Sequence, residues 1–269
     1  AQSTWAGVEP LLDPALRRDY TLTNARGVFG PLMSEYVFTY LLLHERKVLQ
    51  RYAAQRAGEW DSTLTGTLRG KTLGLLGVGS IGAHLAATGM HFGLRVLGYT
   101  RQSETCPEVD TWFHDATLVE MARQVDYLVN TLPNTPATRQ IVDAALLGAL
   151  PPHAVFINVG RGSALDEAAL AEALFAGQLA GAVLDVFRTE PLPVQHPFWG
   201  EERIMVLPHI GGLHPERDSM VAALLVALLS FSLPAMPGPA ARMGDRADQG
   251  LHPDHMARFG DTLFGKHLL

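Results

Sequence analysis

Short apolar runs alternate with segments of helical periodicity through most of the chain, beginning near Thr72. Apolar runs bounded by turn residues are typical of strands that are buried on both faces of a parallel sheet. Six strands are predicted in this way: Thr72–Leu76, Arg95–Tyr99, Tyr127–Thr131, Ala154–Val159, Ala180–Val186 and Ile204–Leu207. Five helices are predicted between and after them: Ile81–Met90, Leu118–Gln124, Pro136–Leu150, Glu167–Ala176 and Pro215–Leu229. Because strand and helix alternate with short connections, the pattern predicts an α/β fold with a doubly wound parallel sheet.

The segment before the first predicted strand has a different pattern. Glycines and prolines interrupt residues 1–33, whereas residues 34–57 carry helical periodicity without a break. We therefore predict one long helix over 34–57, with Ser34 as its N-cap and Gly58 just after its end. Near the other end of the chain, Ser232–Leu251 has three prolines and little periodicity, which indicates a loop or a frayed tail.

A glycine pattern stands at the junction between the first predicted strand and the helix behind it. Gly77-x-Gly79-x-x-Gly82 follows the apolar run directly, and Ser80 and Ile81 open the helix. In a dinucleotide-binding turn, the first glycine permits the tight turn, the second leaves room for a pyrophosphate, and the third lets the helix pack closely. The first N–H groups of the helix then face the phosphate. The setting favours a Rossmann-like dinucleotide site, and a glycine turn without a ligand is the alternative.

The end of the second predicted strand bears on the choice of cofactor. In this fold an acidic residue at that position binds the ribose hydroxyls of NAD. Here the position holds Thr100, and Arg101 follows it. A carboxylate would repel a 2′-phosphate, whereas a hydroxyl with a guanidinium beside it would hold one. We therefore expect NADP(H) to be preferred, and NAD(H) use remains possible if Arg101 is only a solvated loop arginine.

Three further segments follow predicted strands at the edge where open α/β sheets bind ligands, and they contain Arg161, Glu190 and His209. Taken singly, each has an ordinary structural explanation, and His209 is one of eleven histidines. Together they form a set. His209 exchanges a proton near neutral pH, Glu190 fixes its tautomer and favours its charged form, and Arg161 grips a carboxylate and polarises a carbonyl. The set suits hydride transfer between a nicotinamide and a 2-oxo or 2-hydroxy acid. Asp185 is a second acid in this region, with a loop-capping carboxylate as its alternative.

Composition and charge narrow the class of protein. The chain has 269 residues, 47% of them apolar and 18% charged, and a net charge of −6. These values are typical of a globular protein with a sizeable core, and the scattered basic residues do not indicate a nucleic-acid partner. The longest apolar run, Val221–Leu229, is too short to span a bilayer. With Cys106 as its one cysteine, the chain forms no internal disulfide. We expect a cytoplasmic protein with no metal and no membrane partner.

From about Ser3 to Gly212, several motifs in order resemble the D-isomer-specific 2-hydroxyacid dehydrogenases. Arg161, Glu190 and His209 fall on the family's catalytic arginine, glutamate and histidine. The resemblance implies a second set of cofactor contacts at Leu132, Pro133, Val159, Asp185 and Gly211, with Asp185 near the nicotinamide amide. It also implies that the loop beginning at Ser3 receives the substrate, with the N–H groups of Ala6 and Gly7 on its carboxylate and Trp5 lining the pocket.

Within the family, Tyr99-Thr100-Arg101 and Asn134-Thr135-Pro136 look most like the NADPH-using glyoxylate/hydroxypyruvate reductases. This resemblance implies reduction, in which NADPH delivers hydride to the oxo carbon and His209 gives a proton to the oxygen. Arg161 would stabilise the charge that develops there. Glyoxylate, hydroxypyruvate and related small 2-oxo acids are the implied substrates, and a homodimer is the implied assembly.

The resemblance also implies a domain organisation. Residues 1–33 would be a remnant of the substrate domain, residues 34–231 the dinucleotide-binding domain, and residues 232–269 an atypical tail. The family's substrate domain normally begins before the Ser3 loop, and from Ser230 onward nothing resembles the family. We therefore expect an incomplete second lobe. Two alternatives stay open: a catalytically inactive nucleotide-sensing or scaffold protein on the same fold, and a truncated fragment.

Overall fold

The computed structural model describes residues 2–17, 19–101 and 104–232, with side chains described up to residue 226. The chain forms two compact units. The larger unit is Phe29–Leu213, and the smaller combines, among the described residues, those up to Val28 with those from His214 to Ser232. The predicted division at residues 33 and 231 stays a prediction, and residues 233–269 of the predicted tail lie outside the described residues.

The larger unit is built on one seven-stranded parallel sheet. Its strands are β1 (Thr72–Leu76), β2 (Arg95–Tyr99), β3 (Thr111–Phe113), β4 (Tyr127–Asn130), β5 (Val155–Asn158), β6 (Gly181–Leu184) and β7 (Ile204–Val206). Their order across the sheet is β3-β2-β1-β4-β5-β6-β7. The carboxyl ends of all strands share one edge, and the order reverses between β1 and β4, where sheets of this kind bind ligands. The predicted doubly wound parallel sheet is confirmed.

Six helices belong to this unit: α1 (Gly30–Glu45), α2 (Val48–Ala57), α3 (Ser80–His91), α4 (Leu118–Ala122), α5 (Ala144–Ala149) and α6 (Glu167–Phe175). The strands between them are apolar on both faces. Among the side chains with no exposed surface are those of Leu73, Leu75, Leu97, Leu128 and Phe156. Burying one such side chain contributes about 1.5–3 kcal/mol, so this double-faced burial stabilises the sheet.

Two elements in the sheet region differ from the prediction: one strand and the start of one helix. The sequence does not predict β3, because three residues at a sheet edge carry too short an apolar pattern to stand out. The helix predicted over Pro136–Leu150 is wrong in its first half, since α5 begins at Ala144. Its N-cap is Asp143, whose side chain accepts the N–H of Leu146 at 2.9 Å.

The single helix predicted over 34–57 is two helices. The first, α1, begins at Gly30 with Pro31 in its first turn. Proline is tolerated there because the N–H that it lacks has no partner within the helix at that position. Ser34 therefore lies inside α1 and is not its N-cap.

The break between α1 and α2 coincides with a buried polar cluster around Glu45, the last residue of α1. Glu45 is 5% exposed, and its Oε1 accepts hydrogen bonds from Lys71 Nζ and Tyr127 OH, both at 2.5 Å. After it, Lys47 adopts a left-handed φ of 49° and redirects the chain into α2. Helix propensity gives no sign of this break, because the contacts that accompany it come from residues distant in the sequence. Gly58 follows the end of α2 as predicted, in a left-handed conformation.

The smaller unit pairs Gln2 with Thr23 in a short parallel bridge and contains a 3₁₀ turn at Glu9–Leu12. Its helix is α7 (Arg217–Ser232), which confirms the helix predicted over Pro215–Leu229 with both ends shifted. Over the residues that the structure describes, no helix is long and apolar enough to cross a membrane.

The Glu45 cluster belongs to the amino-terminal edge of the sheet, because Lys71 directly precedes β1 and Tyr127 begins β4. Burial, followed by the hydrogen bond to Glu45, raises the pKa of Tyr127, so the phenol stays protonated and donates. A Cβ on Gly66 would lie 1.9 Å from Glu45 Oε2, so only glycine fits beside this carboxylate. A buried charge is stable only when it is paired and hydrogen-bonded.

Replacing Glu45 with glutamine is expected to destabilise the protein, because Lys71 then loses its carboxylate. Removing one partner of a buried ion pair costs about 3–5 kcal/mol, and the 31% exposure of the Lys71 side chain places the expected loss at about 3 kcal/mol. Urea denaturation followed by circular dichroism measures the change. Glu172→Gln, at an exposed position of α6, is the control and is expected to change stability little. A Glu45→Gln variant as stable as the control would contradict the importance of the cluster.

Candidate functional site

The glycine turn between β1 and α3 has the geometry that a pyrophosphate requires. Gly77 has a left-handed φ of 92°, and a Cβ on Gly82 would lie 2.3 Å from the carbonyl oxygen of Gly77. A Cβ on Gly79 would meet no described atom within 4 Å, so the space in front of the turn is open. The helix α3 begins directly behind it at Ser80, and its first N–H groups carry the positive end of the helix dipole. The residues at this turn therefore fit the phosphate part of a dinucleotide.

At the end of β2, Thr100 and Arg101 stand where a cofactor's ribose is expected. The N–H of Thr100 donates to the carbonyl of Phe113 at 3.1 Å. Arg101 donates from Nη1 to the carbonyl of Ala137 at 3.4 Å, and its Nε lies 3.9 Å from Asp115 Oδ2. An exposed ion pair of this length contributes at most about 1 kcal/mol. Little free energy therefore opposes the exchange of Asp115 for a phosphate.

His114 is a second basic group beside Thr100, and no motif in the sequence indicates it. Its Nδ1 lies 2.9 Å from the carbonyl oxygen of Thr100, and its Nε2 lies 2.9 Å from Glu104 Oε1. The Thr100 carbonyl, and after it Glu104, raise the pKa of this exposed histidine. Two basic side chains therefore lie near the end of β2: Arg101, which follows Thr100, and His114, which follows β3.

Two buried asparagines shape the loops that follow β4 and β5. Asn130 and Asn158 have no exposed surface, and Asn130 Nδ2 donates to Asn158 Oδ1 at 2.9 Å. The side chain of Asn130 also accepts the N–H of Leu132 at 3.1 Å, and Asn158 Nδ2 donates to the carbonyl of Arg161 at 3.2 Å. The sequence signal for this pair is an asparagine at the end of each of two apolar strands. The pair fixes the backbone from which Arg161 projects.

Glu190 and His209 form a direct pair. His209 Nδ1 lies 2.8 Å from Glu190 Oε2, and the N–H of Phe187 donates to Glu190 Oε1 at 2.9 Å. An ionised carboxylate only accepts hydrogen bonds, so Nδ1 carries the proton and Nε2 is left to face a substrate. The two side chains are 50% and 36% exposed, so the pair is reachable from solvent.

Asp185 holds the loop that carries His209. It is 2% exposed, its Oδ1 accepts the N–H of Ile210 at 2.9 Å, and its Oδ2 accepts the N–H of Gly211 at 3.1 Å. His209 has a left-handed φ of 55°, which turns the two N–H groups after it toward the same carboxylate. Asp185 thus makes the loop-capping contacts of the alternative interpretation. The Asp185 carboxylate accepts a third hydrogen bond from the hydroxyl of Tyr36, which lies 2.8 Å from Oδ1.

A series of contacts connects the Arg161 loop to the Glu190–His209 pair. A Cβ on Gly162 would lie 1.9 Å from the carbonyl carbon of Phe187, so the loops after β5 and β6 touch at this glycine. Phe187 in turn binds Glu190, and Glu190 binds His209. Arg161 itself donates from Nη1 to the carbonyl of Gly160 at 2.7 Å. The structure therefore places all three predicted catalytic residues on neighbouring loops at the carboxyl edge.

The other predicted cofactor contacts also lie in the larger unit. Leu132 and Val159 are each 9% exposed, and Leu132 packs beside the glycine turn, 3.0 Å from a Cβ built on Gly77. The carbonyl of Pro133 accepts the hydroxyl of Thr138 at 2.6 Å. Among the described residues, no group of three or more His, Cys, Asp or Glu could hold a metal ion.

The predicted substrate loop belongs to the smaller unit. The N–H of Trp5 donates to Ser3 Oγ at 3.1 Å, and Asn24 Nδ2 donates to the carbonyl of Ala6 at 2.6 Å. Within the described part of the chain, the N–H groups of Ala6 and Gly7 have no hydrogen-bond acceptor. The Arg217 guanidinium lies over the Trp5 ring, 4.2 Å from its centroid, a contact that the sequence did not indicate.

The fold and the glycine turn place the chain among the dinucleotide-binding proteins of Rossmann type. The chain belongs to the D-isomer-specific 2-hydroxyacid dehydrogenases. A profile described as "D-isomer specific 2-hydroxyacid dehydrogenase, NAD binding domain" matches residues 38–211. This match covers the glycine turn, Arg161, Glu190 and His209.

Individual relatives agree with the family. The chain is 34% identical, over 241 residues, to "Glyoxylate/hydroxypyruvate reductase A" of Serratia proteamaculans, a match covering 86% of this chain and 76% of that protein. A crystal structure of a D-isomer specific 2-hydroxyacid dehydrogenase family protein from Aeromonas salmonicida is 42% identical with a TM-score of 0.80, covering 86% of this chain and 74% of that one. An NADPH-dependent glyoxylate/hydroxypyruvate reductase from Sinorhizobium meliloti, crystallised with NADP and sulfate, is 32% identical with a TM-score of 0.77, covering 87% and 76%.

Proposed function

We propose that this protein reduces small 2-oxo acids such as glyoxylate and hydroxypyruvate to D-2-hydroxy acids, with NADPH as the electron donor. The observation that carries the proposal is the 2.8 Å contact between His209 Nδ1 and Glu190, at the sheet edge where this fold binds its ligands. The names of the relatives support the substrate class, since several are called glyoxylate or glyoxylate/hydroxypyruvate reductases.

The cofactor contacts are proposed from the turn and strand ends described above. The pyrophosphate would lie on the turn formed by Gly77, Gly79, Ser80, Ile81 and Gly82. Thr100 and Arg101 would hold the 2′-phosphate, and the related structures crystallised with NADP or NADPH support this preference over NAD(H). The remaining proposed contacts are Leu132, Pro133, Val159, Asp185 and Gly211. Bound NADPH supplies the hydride.

The side chains at the carboxyl edge supply the other half of the chemistry. Glu190 holds the Nδ1 proton of His209, so Nε2 presents a proton to the carbonyl oxygen when the ring is charged. Glu190 also stabilises that charged ring. Arg161 binds the carboxylate of the acid and stabilises the charge that develops on the oxygen. Proton transfer of this kind contributes about 10²–10⁴-fold to a rate.

The substrate's carboxylate would also be bound by the loop of the smaller unit. We assign its recognition to the N–H groups of Ala6 and Gly7, and the size limit of the side-chain pocket to Trp5. The absence of described acceptors for these two N–H groups supports the assignment. A cytoplasmic location remains part of the proposal and agrees with the free, buried thiol of Cys106.

A homodimer is the proposed assembly. A set of large apolar side chains is exposed on α2 and on the segment after it: Val48, Leu49, Tyr52, Trp60 and Leu64. Trp60 is 96% exposed and Leu64 is 90% exposed. Exposed large apolar side chains that lie close together in the sequence favour a protein interface, and a second copy of the chain is the occupant that the family resemblance implies.

The central test of the function is turnover and the effect of His209→Asn. We expect NADPH oxidation, followed at 340 nm, with glyoxylate or hydroxypyruvate. We expect His209→Asn to lower kcat by at least about 100-fold, because the proton donor is lost. NADPH binding, measured by fluorescence titration, is expected to be unchanged. The control is His153→Asn, which removes a histidine that lies 2.9 Å from a carboxylate oxygen of Asp126, at the amino-terminal edge of the sheet.

Two results would contradict the proposal. If His209→Asn turns over at the wild-type rate, His209 is not the proton donor. If the wild type binds NADPH tightly but turns over none of a panel of 2-oxo acids, the nucleotide-sensing alternative replaces the enzymatic function.

The cofactor preference is tested with Arg101→Ala. Losing a charge-assisted contact of about 1.5–3 kcal/mol is expected to raise the KM for NADPH by about ten- to a hundred-fold. The KM for NADH should stay unchanged, because NADH has no 2′-phosphate. Arg123→Ala, at an exposed arginine just after α4, is the matched control. An equal rise in the KM for NADPH and for NADH would show that Arg101 does not bind the 2′-phosphate.

The dimer is tested by sedimentation velocity. The wild type is expected to sediment as a dimer, and Trp60→Glu combined with Leu64→Glu is expected to give a monomer, since two charges would have to be buried. Phe175→Glu is the control, because Phe175 is 90% exposed but stands alone on α6. A monomeric wild type, or a dimer that survives the double substitution, would contradict the proposed surface.

A further inference from the structure

Tyr36 contacts the His209 loop in two ways, although it lies on α1, far from that loop in the sequence. Its hydroxyl donates to Asp185 Oδ1 at 2.8 Å. Its ring lies against the loop, because a Cβ on Gly211 would be 3.0 Å from two of its ring carbons. Burial, then the bond to Asp185, raises the pKa of Tyr36, so the hydroxyl is a donor throughout the physiological range.

The Asp185 carboxylate is the meeting point of three donors. It receives the hydroxyl of Tyr36 and the N–H groups of Ile210 and Gly211. The two N–H groups converge on it only because His209 adopts the left-handed region, which is unfavourable for a non-glycine residue. Whatever fixes the position of Asp185 therefore also fixes the backbone of His209.

We propose that Tyr36 is a positioning residue for His209, acting through the buried carboxylate of Asp185. The inference rests on the proposed function, in which His209 donates the proton. Tyr36 of α1 donates to the Asp185 carboxylate, and the N–H groups of the His209 loop donate to the same carboxylate. The loop is thereby fixed, and the imidazole stays within hydrogen-bonding distance of Glu190. The residue touches neither substrate nor cofactor in this role.

A matched control is the contact at the other end of α1, where Tyr127 of β4 meets Glu45. Tyr127 also donates a buried hydroxyl to a carboxylate, that of Glu45, but at the amino-terminal edge of the sheet. Tyr127→Phe therefore removes a hydrogen bond of the same chemical kind without touching the His209 loop. Tyr36→Phe and Tyr127→Phe both keep the aromatic ring, so the core packing is retained in each.

The first experiment compares kcat, the dissociation constant for NADPH and the melting temperature in these variants. We expect Tyr36→Phe to lower kcat about tenfold, equal to about 1.4 kcal/mol in the barrier, with the NADPH dissociation constant changed less than about twofold. Tyr127→Phe should lower the melting temperature and leave kcat unchanged. In an Asp185→Asn background, adding Tyr36→Phe should lower kcat by less than about twofold, because the two residues act as a unit.

The second experiment measures hydrogen exchange of the peptide that contains Ile210 and Gly211, without substrate. We expect Tyr36→Phe to speed exchange of these amides and Tyr127→Phe to leave it unchanged. If Tyr36→Phe leaves both kcat and this exchange at wild-type values, the positioning role is wrong. If the wild type turns over no 2-oxo acid, the proposed function fails, and the exchange result still decides whether Tyr36 fixes the loop.

Discussion

The geometry of the carboxyl edge of the sheet depends on one buried carboxylate, that of Asp185. It accepts the N–H groups of Ile210 and Gly211, and these two bonds set the conformation of the loop that carries His209. The left-handed backbone of His209 costs about 1–2 kcal/mol. Hydrogen bonds to a charged group contribute about 1.5–3 kcal/mol each, so two of them outweigh that cost. The strained backbone is therefore stable, and it presents the imidazole to Glu190.

Helix α1 joins this edge to the opposite one. Near its start, Tyr36 binds Asp185 at the carboxyl edge, and at its end Glu45 binds Lys71 and Tyr127 at the amino edge. The contacts of Tyr36 with Asp185 and of Tyr127 with Glu45 are both hydroxyl–carboxylate bonds to a buried carboxylate, and losing either one removes a donor from that carboxylate. The helix thus relates the position of the His209 loop to the sheet beneath it.

The sequence was sufficient for the parts of the fold that repeat a pattern. Six strands were predicted because each is an apolar run, and the glycine turn was predicted because Gly77 and Gly82 have steric tasks that only glycine performs. Arg161, Glu190 and His209 were predicted as a set because each follows a predicted strand at the same edge, and the resemblance to the family implied the same three residues. The geometry of the Glu190–His209 pair agrees with that assignment.

What the sequence did not predict arises from contacts between distant residues. The break after Glu45 accompanies bonds to Lys71 and Tyr127, and no local propensity reveals them. Tyr36 has the pattern of an ordinary helical aromatic until the structure places it against Asp185. Asn130 and Asn158 end apolar strands in a way that is visible in the sequence, but their mutual hydrogen bond depends on strand order. Tertiary contacts decided each of these cases.

In the proposed reaction, hydride and proton reach a 2-oxo acid in one fixed orientation at the carboxyl edge of this sheet. The configuration of the product tests it most directly. Wild-type protein would be incubated with NADPH and hydroxypyruvate, and the glycerate formed would be resolved by chiral chromatography. We expect D-glycerate alone. L-glycerate, or a racemic mixture, would contradict it.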